Sequence, residues 1–352
     1  MSWSQRSREW QRVTDATETA PAATQRAGHH RAIGLALREL TLLPAIALTI
    51  IAGSFTSNAF LTAANFFNIL QQSSELAVLV IAESIILIAG KFDLSLESVV
   101  GLAPMVSAWL IVKNTMVGGS GVGLDPALAI AVLFLIGALV GLVNGFLVVR
   151  LQLNAFIVTL AMLILLRGIT LGITDGKTLF ELPVSFLYLG TAKWLTVPVS
   201  VWVAGLLYLL FGLFLRYHKL GRALYAIGGS AEAARIAGIR VERVTWGAYI
   251  VGGVLAALAG LMLTGRIASV VSSQGQNMIF YVFAAAVIGG VSLNGGRGRL
   301  LGALTGVLLL GILQNVLTLA QIPAFWIDAA YGAIILVALI LARASSGGPQ
   351  GA

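Results

Sequence analysis

Two charges stand where charges are expensive. Glu83 and Arg167 each fall inside a long apolar stretch, and an ionised side chain at the centre of a bilayer costs roughly 2.5–3.5 kcal/mol unless it is paired or wet. At about 1.5 Å of rise per residue, Glu83 would lie about 9 Å and Arg167 about 16 Å from the same membrane face. Long side chains bridge that difference where two helices touch, so an internal structural pair is expected; the rival is that one of them faces an aqueous path. Uncharged polar residues are more plentiful, near the ends of the apolar stretches: Gln71, Gln72, Asn144, Asn154, Gln274, Asn277, Gln314 and Asn315, with Trp326 and Asp328 close together. Amides and an indole suit a neutral, hydroxyl-rich solute, which they hold by hydrogen bonding and stacking. The same amides can instead tie helices together. A translocation path and an interhelical network are both open.

Chemistries that need tighter constellations are absent. The run Gly172-Ile173-Thr174-Asp175-Gly176-Lys177-Thr178 has three residues between its glycines where a phosphate-binding loop needs four. Gly119-Ser120-Gly121-Val122-Gly123 has no βαβ unit behind it, so it is not a dinucleotide site. The chain has no cysteine and three histidines, His29, His30 and His218, which excludes thiolate chemistry and gives no expectation of a metal site. No catalytic constellation is found. If ATP powers this protein, another chain hydrolyses it.

The elements that position these residues are set by composition. The 352 residues are 58% hydrophobic and 10% charged, whereas soluble domains carry about a quarter charged residues. Too little polar surface remains to cover a water-exposed globule, and an all-α, polytopic membrane protein in a lipid bilayer follows. Spans of about 20 apolar residues are expected at 40–58, 68–89, 98–113, 127–149, 155–173, 196–215, 246–264, 278–291, 300–319 and 324–342. The segments 98–113 and 278–291 are short, as tilted or re-entrant pieces lining a cavity can be. Glycines in the later spans (Gly252, Gly253, Gly260, Gly302, Gly306, Gly311) indicate close helix packing. The net charge of +8 is a matter of topology and not of nucleic-acid binding. With ten spans and an inner N-terminus, 17 of the 22 Lys and Arg fall on inner segments, four on outer ones and one, Arg167, within a span. Both termini are then cytoplasmic. Residues 1–39 form an N-terminal tail expected to be disordered, 40–342 the membrane domain with a loop at 216–245, and 343–352 a cytoplasmic tail.

The longest polar interruption, Leu220 to Val244, carries Arg222, Arg235, Arg240 and Arg243. Within it Glu232 to Ala237 reads as a short helix capped by Ser230, with Gly228 and Gly229 as breakers before it and Gly238 after it. That is either a protruding knob or an ordinary structured loop. A weaker feature is an internal echo: Gln152-Leu153-Asn154-Ala155-Phe156 resembles Gln321-Ile322-Pro323-Ala324-Phe325, on opposite faces of the expected topology, as an inverted repeat requires.

Several stretches, in order over roughly residues 65–340, resemble the permease subunits of ribose-type ABC sugar importers, within the branched-chain amino acid/ribose permease family. They are Gly90-Lys91-Phe92-Asp93-Leu94-Ser95, Asn144-Gly145, Phe156-Ile157-Val158-Thr159-Leu160, Arg167-Gly168, Gly221-Arg222 through Ala226, Gly228-Gly229, Ala233-Ala234, Gly238-Ile239 and Ile288-Gly289-Gly290. The chain departs from the family at Lys91-Phe92, where Gly-Ile is usual, and at Ser230, where Asn is frequent. The resemblance implies a fold like that of the vitamin B12 type of importer, with about ten spans, in a bacterial cytoplasmic membrane. It implies a second permease copy (homodimer or heterodimer), two ATPase subunits that hold ATP and magnesium, and an extracytoplasmic sugar-binding protein. The knob would be the coupling helix seated in the ATPase: Gly221, Gly228, Gly229 and Gly238 as hinge and fit residues, Ser230 and Glu232 at its start, Ala233 and Ala234 small enough to enter, Arg222 and Arg235 meeting acidic partner groups. The chain itself would be no enzyme. The competing expectation, an ATP-independent secondary transporter or channel for a small polar solute, calls for ionisable residues at mid-membrane, and Glu83 and Arg167 are thin support for it.

Overall fold

A backbone surrounded by hydrocarbon must satisfy its own hydrogen bonds, and apolar runs of this length do so as helices. The computed structural model describes residues 42–346; the expected N-terminal tail and residues 347–352 lie outside the described residues. Contacts divide the chain into Met1–Ala45 and Ile46–Ala352, and the account below concerns the second unit. Its helices are α1 (Leu43–Thr56, which begins in the first unit), α2 (Ala63–Ile88), α3 (Leu96–Ile111), α4 (Pro126–Gly145), α5 (Ala155–Thr174), α6 (Val184–Thr191), α7 (Val199–Tyr217), α8 (Lys219–Gly229), α9 (Ala231–Ile236), α10 (Val241–Ile267), α11 (Met278–Ile288), α12 (Leu300–Leu319) and α13 (Ala324–Ser346). A π-helical turn, Phe146–Arg150, extends α4.

Each of the ten expected segments contains a helix. Six of them (α2, α4 with its π turn, α5, α7, α10 and α12) are long and apolar enough to cross a membrane. The rest differ. Helices α1 and α3 have 14 and 16 residues, and α11 has 11, which at 1.5 Å each covers about half of a ~30 Å hydrocarbon layer. Helix α13 runs to Ser346, past the expected end at 342. Pieces outside the expected segments are α6, α8, a 3₁₀ turn at Thr115–Val117, and a two-stranded antiparallel hairpin of β1 (Lys193–Trp194) and β2 (Val197–Pro198). The hairpin shifts the start of the sixth expected span from 196 to Val199.

Helix starts follow local chemistry. The Thr62 hydroxyl accepts the Asn65 amide at the start of α2, Asp125 accepts the Ala127 amide with Pro126 at the first helical position of α4, and Asn154 accepts the Ile157 amide at α5. Helices α2 and α10 are mostly buried, while α4, α5 and α7 are mostly exposed. Helix α10 is the central post, packed against α2, α3, α4 and α6. It approaches α4 backbone to backbone: a Cβ on Gly253 would overlap the Gly137 carbonyl oxygen. The echo has a backbone counterpart. Gln152 and Gln321 both sit in the left-handed region, at φ 54° and 59°, and the helices that follow start at Ala155 and Ala324.

Candidate functional site

The polar loop folds as two helices at right of way between α7 and α10. Helix α8 is amphipathic: Gly221, Ala223, Leu224 and Ile227 are buried, and Arg222 and Ala226 are exposed. Ser230 ends α8 and caps α9, its hydroxyl accepting the Ala233 amide at 3.2 Å. Gly228 and Gly229 are therefore the last turn of α8 and not a flexible break before the short helix. Their roles differ. A Cβ on Gly228 would overlap the Ile88 carbonyl oxygen and the Gly296 amide nitrogen, whereas one on Gly229 would meet nothing within 4 Å. Around Gly228 three backbone segments are locked: the Gly296 amide donates to the Ile88 carbonyl at 2.9 Å, and the Tyr225 hydroxyl donates to the Gly298 carbonyl at 2.8 Å. The end of α8 is thus wedged against the end of α2 and the loop before α12. Gly238, at φ 81°, turns the chain from α9 into α10.

The short helix presents a surface different from the one expected. Ala234 is buried with Ile227 and Val241 in a small core that fastens α9 to α8 and α10, so its small size serves the fit within this chain. Arg235 is engaged within the chain too, its guanidinium 2.8 Å from Glu242. What α9 offers outward is Glu232, Ala233, Ala237 and above all Ile236, 85% exposed. Ile236 was missed because an isoleucine at the end of an Ala-rich helix reads as ordinary core.

Two of the singled-out stretches meet in the interior. Asp93 Oδ1 accepts the Ser95 amide at 3.0 Å and its hydroxyl at 2.6 Å. The Asn144 amide nitrogen lies 3.2 Å from both Asp93 oxygens and 2.7 Å from the Ser95 hydroxyl. All three residues are buried. Burial pushes the Asp93 carboxyl up to about 6, against the hydrogen bonds from Ser95 and Asn144 that pull it down. Asn144 therefore pins the α2–α3 connection to α4. Glu83 joins this region by accepting the Asp93 amide at 3.4 Å, and the buried Tyr249 donates to the Phe92 carbonyl at 3.0 Å.

The expected pair of Glu83 and Arg167 is not brought together. The Arg167 guanidinium donates to the Gln274 carbonyl at 3.1 Å, beside Glu97, which accepts the Ile279 amide. An ion pair joins Glu75 and Arg266 instead, bidentate at 2.7 and 3.0 Å, with Glu75 buried. Glu75 lies in the same expected span as Glu83; its partner was hidden because Arg266 falls beyond the expected end of its own span.

Most of the amides hold helices. The Gln274 side-chain nitrogen lies 3.0–3.1 Å from the Val100 and Gly260 carbonyls and the Thr264 hydroxyl, stapling α3 to α10. Asn315 and Asn65 exchange reciprocal bonds at 2.8 and 2.9 Å between α12 and α2. Gln71 donates to the Gly190 carbonyl at 2.6 Å, and Gln314 accepts from Tyr331 at 3.5 Å. Gln72, part-buried, and Trp326, exposed, make no side-chain hydrogen bond among the described residues. Asn277 is exposed at the start of α11, at φ 66°. Asp328 accepts from Tyr281 near Trp326.

Against known proteins, residues 65–342 match the family described as "Branched-chain amino acid transport system / permease component". The ribose import permease RbsC of Escherichia coli K12 is 33% identical over 309 residues, covering 87% of this chain and 93% of its own. RbsC of Bacillus subtilis is 35% identical over 301 residues (85% and 91%), and the L-arabinose transport permease AraH of Escherichia coli K12 is 35% identical over 260 residues (73% and 76%). No solved structure gives a significant match. The matched range includes both the locked glycine junction and the Asp93–Ser95–Asn144 network, and the chain belongs to this family of multi-pass membrane permease components, which are transport subunits and not enzymes.

Proposed function

We propose that the chain is the membrane-spanning subunit of an ATP-binding cassette importer for a monosaccharide or related polyol, fed by a solute-binding protein and driven by a separate ATPase. Its closest support is the relatives' cargo, ribose and L-arabinose. On this reading it has about ten spans in the arrangement of the vitamin B12 type of importer, with both termini and α8–α9 in the cytoplasm, and works with a second permease copy.

The observation that carries the mechanism is the wedge at Gly228. A motor acting on α9 needs a stiff path into the membrane, since a slack loop would absorb the stroke. The apolar fastening of α9 through Ala234 and the backbone contact of α8 with Ile88 and Gly296 supply such a path. Ile236 is the anchor for an apolar cleft on the ATPase, in the manner of a buried aliphatic hot spot. Gln72, Asn277 and Trp326 are the pathway candidates whose side chains are not consumed by helix packing.

The absence of native cysteine makes the test clean. Ile236→Cys, paired with single cysteines introduced into the ATPase, should give a disulfide cross-link that blocks uptake and is reversed by reductant. Ala226→Cys on α8, also exposed, serves as the comparison. Cross-linking absent at Ile236→Cys under conditions where other surface pairs react would count against the proposal.

A further inference from the structure

A cavity of about 380 Å³ lies between α7, α8 and α10, beside α2. Its walls are apolar, formed by side chains such as Phe211, Phe214, Leu224 and Val251, and the one charged lining residue is Arg243. Gly247 of α10 faces open space in this wall: a Cβ there would meet nothing within 4 Å. Arg243 is exposed in the first turn of α10 and has no ion-pair partner among the described residues. Two turns separate it from Val251, about 12 Å along the helix.

The rim is basic. Arg216 lies in the last turn of α7, Lys219 starts α8, and Arg222 follows one turn on, all exposed. The acidic neighbour of Arg243, Glu242, is taken up by Arg235. Tyr217, 60% exposed, carries the Arg216 guanidinium over its ring at 5.1 Å, an arrangement suited to the boundary between headgroups and acyl chains. An apolar slot without polar acceptors suits neither a sugar nor a nucleotide. A chain of methylenes running along α10 with a negative headgroup at its end fits both the apolar walls and Arg243.

We infer that this cavity holds one acyl chain of an anionic phospholipid, with its phosphate against Arg243. The inference needs α7 and α10 to cross the bilayer; it needs nothing about the cargo or the motor. A bound chain there would fill the space between α8 and the two spans that flank it, making the seating of α8–α9 sensitive to the lipid around the protein.

The full-length chain, delipidated in detergent, would be titrated with phosphatidylglycerol or phosphatidylcholine and followed by native mass spectrometry, with thermal unfolding recorded in parallel. Wild type should retain one phosphatidylglycerol in preference to phosphatidylcholine. Arg243→Gln should weaken phosphatidylglycerol about fivefold, as expected for one cation near a charged headgroup, and leave phosphatidylcholine unchanged. Gly247→Leu, which fills the slot, should abolish retention of both without lowering the unfolding midpoint. Should Gly247→Leu fail to fold, the Arg243→Gln lipid preference decides alone. Equal retention of the two lipids by wild type, unchanged retention in Gly247→Leu, or a change in that variant's oligomeric state in place of its lipid binding would overturn the inference. None of these arms uses the ATPase, so failure of the transport proposal leaves them interpretable.

Discussion

At the scale of single residues, buried charges and amides have mostly structural partners. Glu75 and Arg266 form an interhelical ion pair, while Glu83 and Arg167 bond elsewhere. A double-mutant cycle should show it: Glu75→Gln with Arg266→Gln should couple by about 1–3 kcal/mol, and Glu83→Gln with Arg167→Gln should add to within about 0.5 kcal/mol. Detergent unfolding curves measure both. Asp93 gives a pH signature. Its carboxyl is held at about 6 against an ordinary 3.8, so the fold favours the protonated form. That contribution is fully present below about 3.8 and is lost as pH rises through about 6. The unfolding midpoint should fall between about pH 4 and about pH 7, and Asp93→Asn should flatten that slope. An unchanged slope in Asp93→Asn would assign the titration to another group. The sequence names Asp93, Ser95 and Asn144 but not their meeting, because the bonds join positions 49 and 51 residues apart.

At the scale of elements, local signals are legible in the sequence and tertiary contacts are not. Ser230 caps the short helix as its type and place require, and every expected apolar stretch holds a helix. The glycines before Ser230 look alike in sequence, yet only Gly228 faces backbone; which face of a helix meets a neighbour is a tertiary fact. Helix α8 was missed because Gly221, Gly228 and Gly229 lower its intrinsic propensity, and burial of Leu224 and Ile227 overrides them. The two glycines should therefore behave differently. Gly229→Ala should leave uptake within about twofold of wild type, since nothing lies within 4 Å of the added methyl. Gly228→Ala must push α8 off Ile88 and Gly296, and should lose most uptake while α9 still binds the ATPase. Equal uptake by both variants would remove the wedge from the mechanism.

At the scale of the whole molecule, composition and span pattern were enough for a helical membrane protein, and the described residues add how it is layered. Helices α2 and α10 are interior, and α4, α5 and α7 are the outer faces left for lipid or another chain. Hydropathy alone does not distinguish inner from outer helices, since both are apolar; close backbone contacts such as Gly137 with Gly253 do. Both buried helices end at the locked junction or the knob: α2 at Ile88, α10 at Val241 beside Ala234. A push on α9 thus reaches the two central helices directly. The decisive measurement is solute accumulation by proteoliposomes containing the permease, its ATPase and its binding protein, comparing wild type with Ile236→Asp. The account predicts ATP-dependent uptake by wild type and at least about a tenfold loss in Ile236→Asp, as expected for a charge placed in an apolar anchor site, with the variant's unfolding midpoint unchanged. Full uptake by Ile236→Asp, or accumulation by wild type with no nucleotide present, would contradict it.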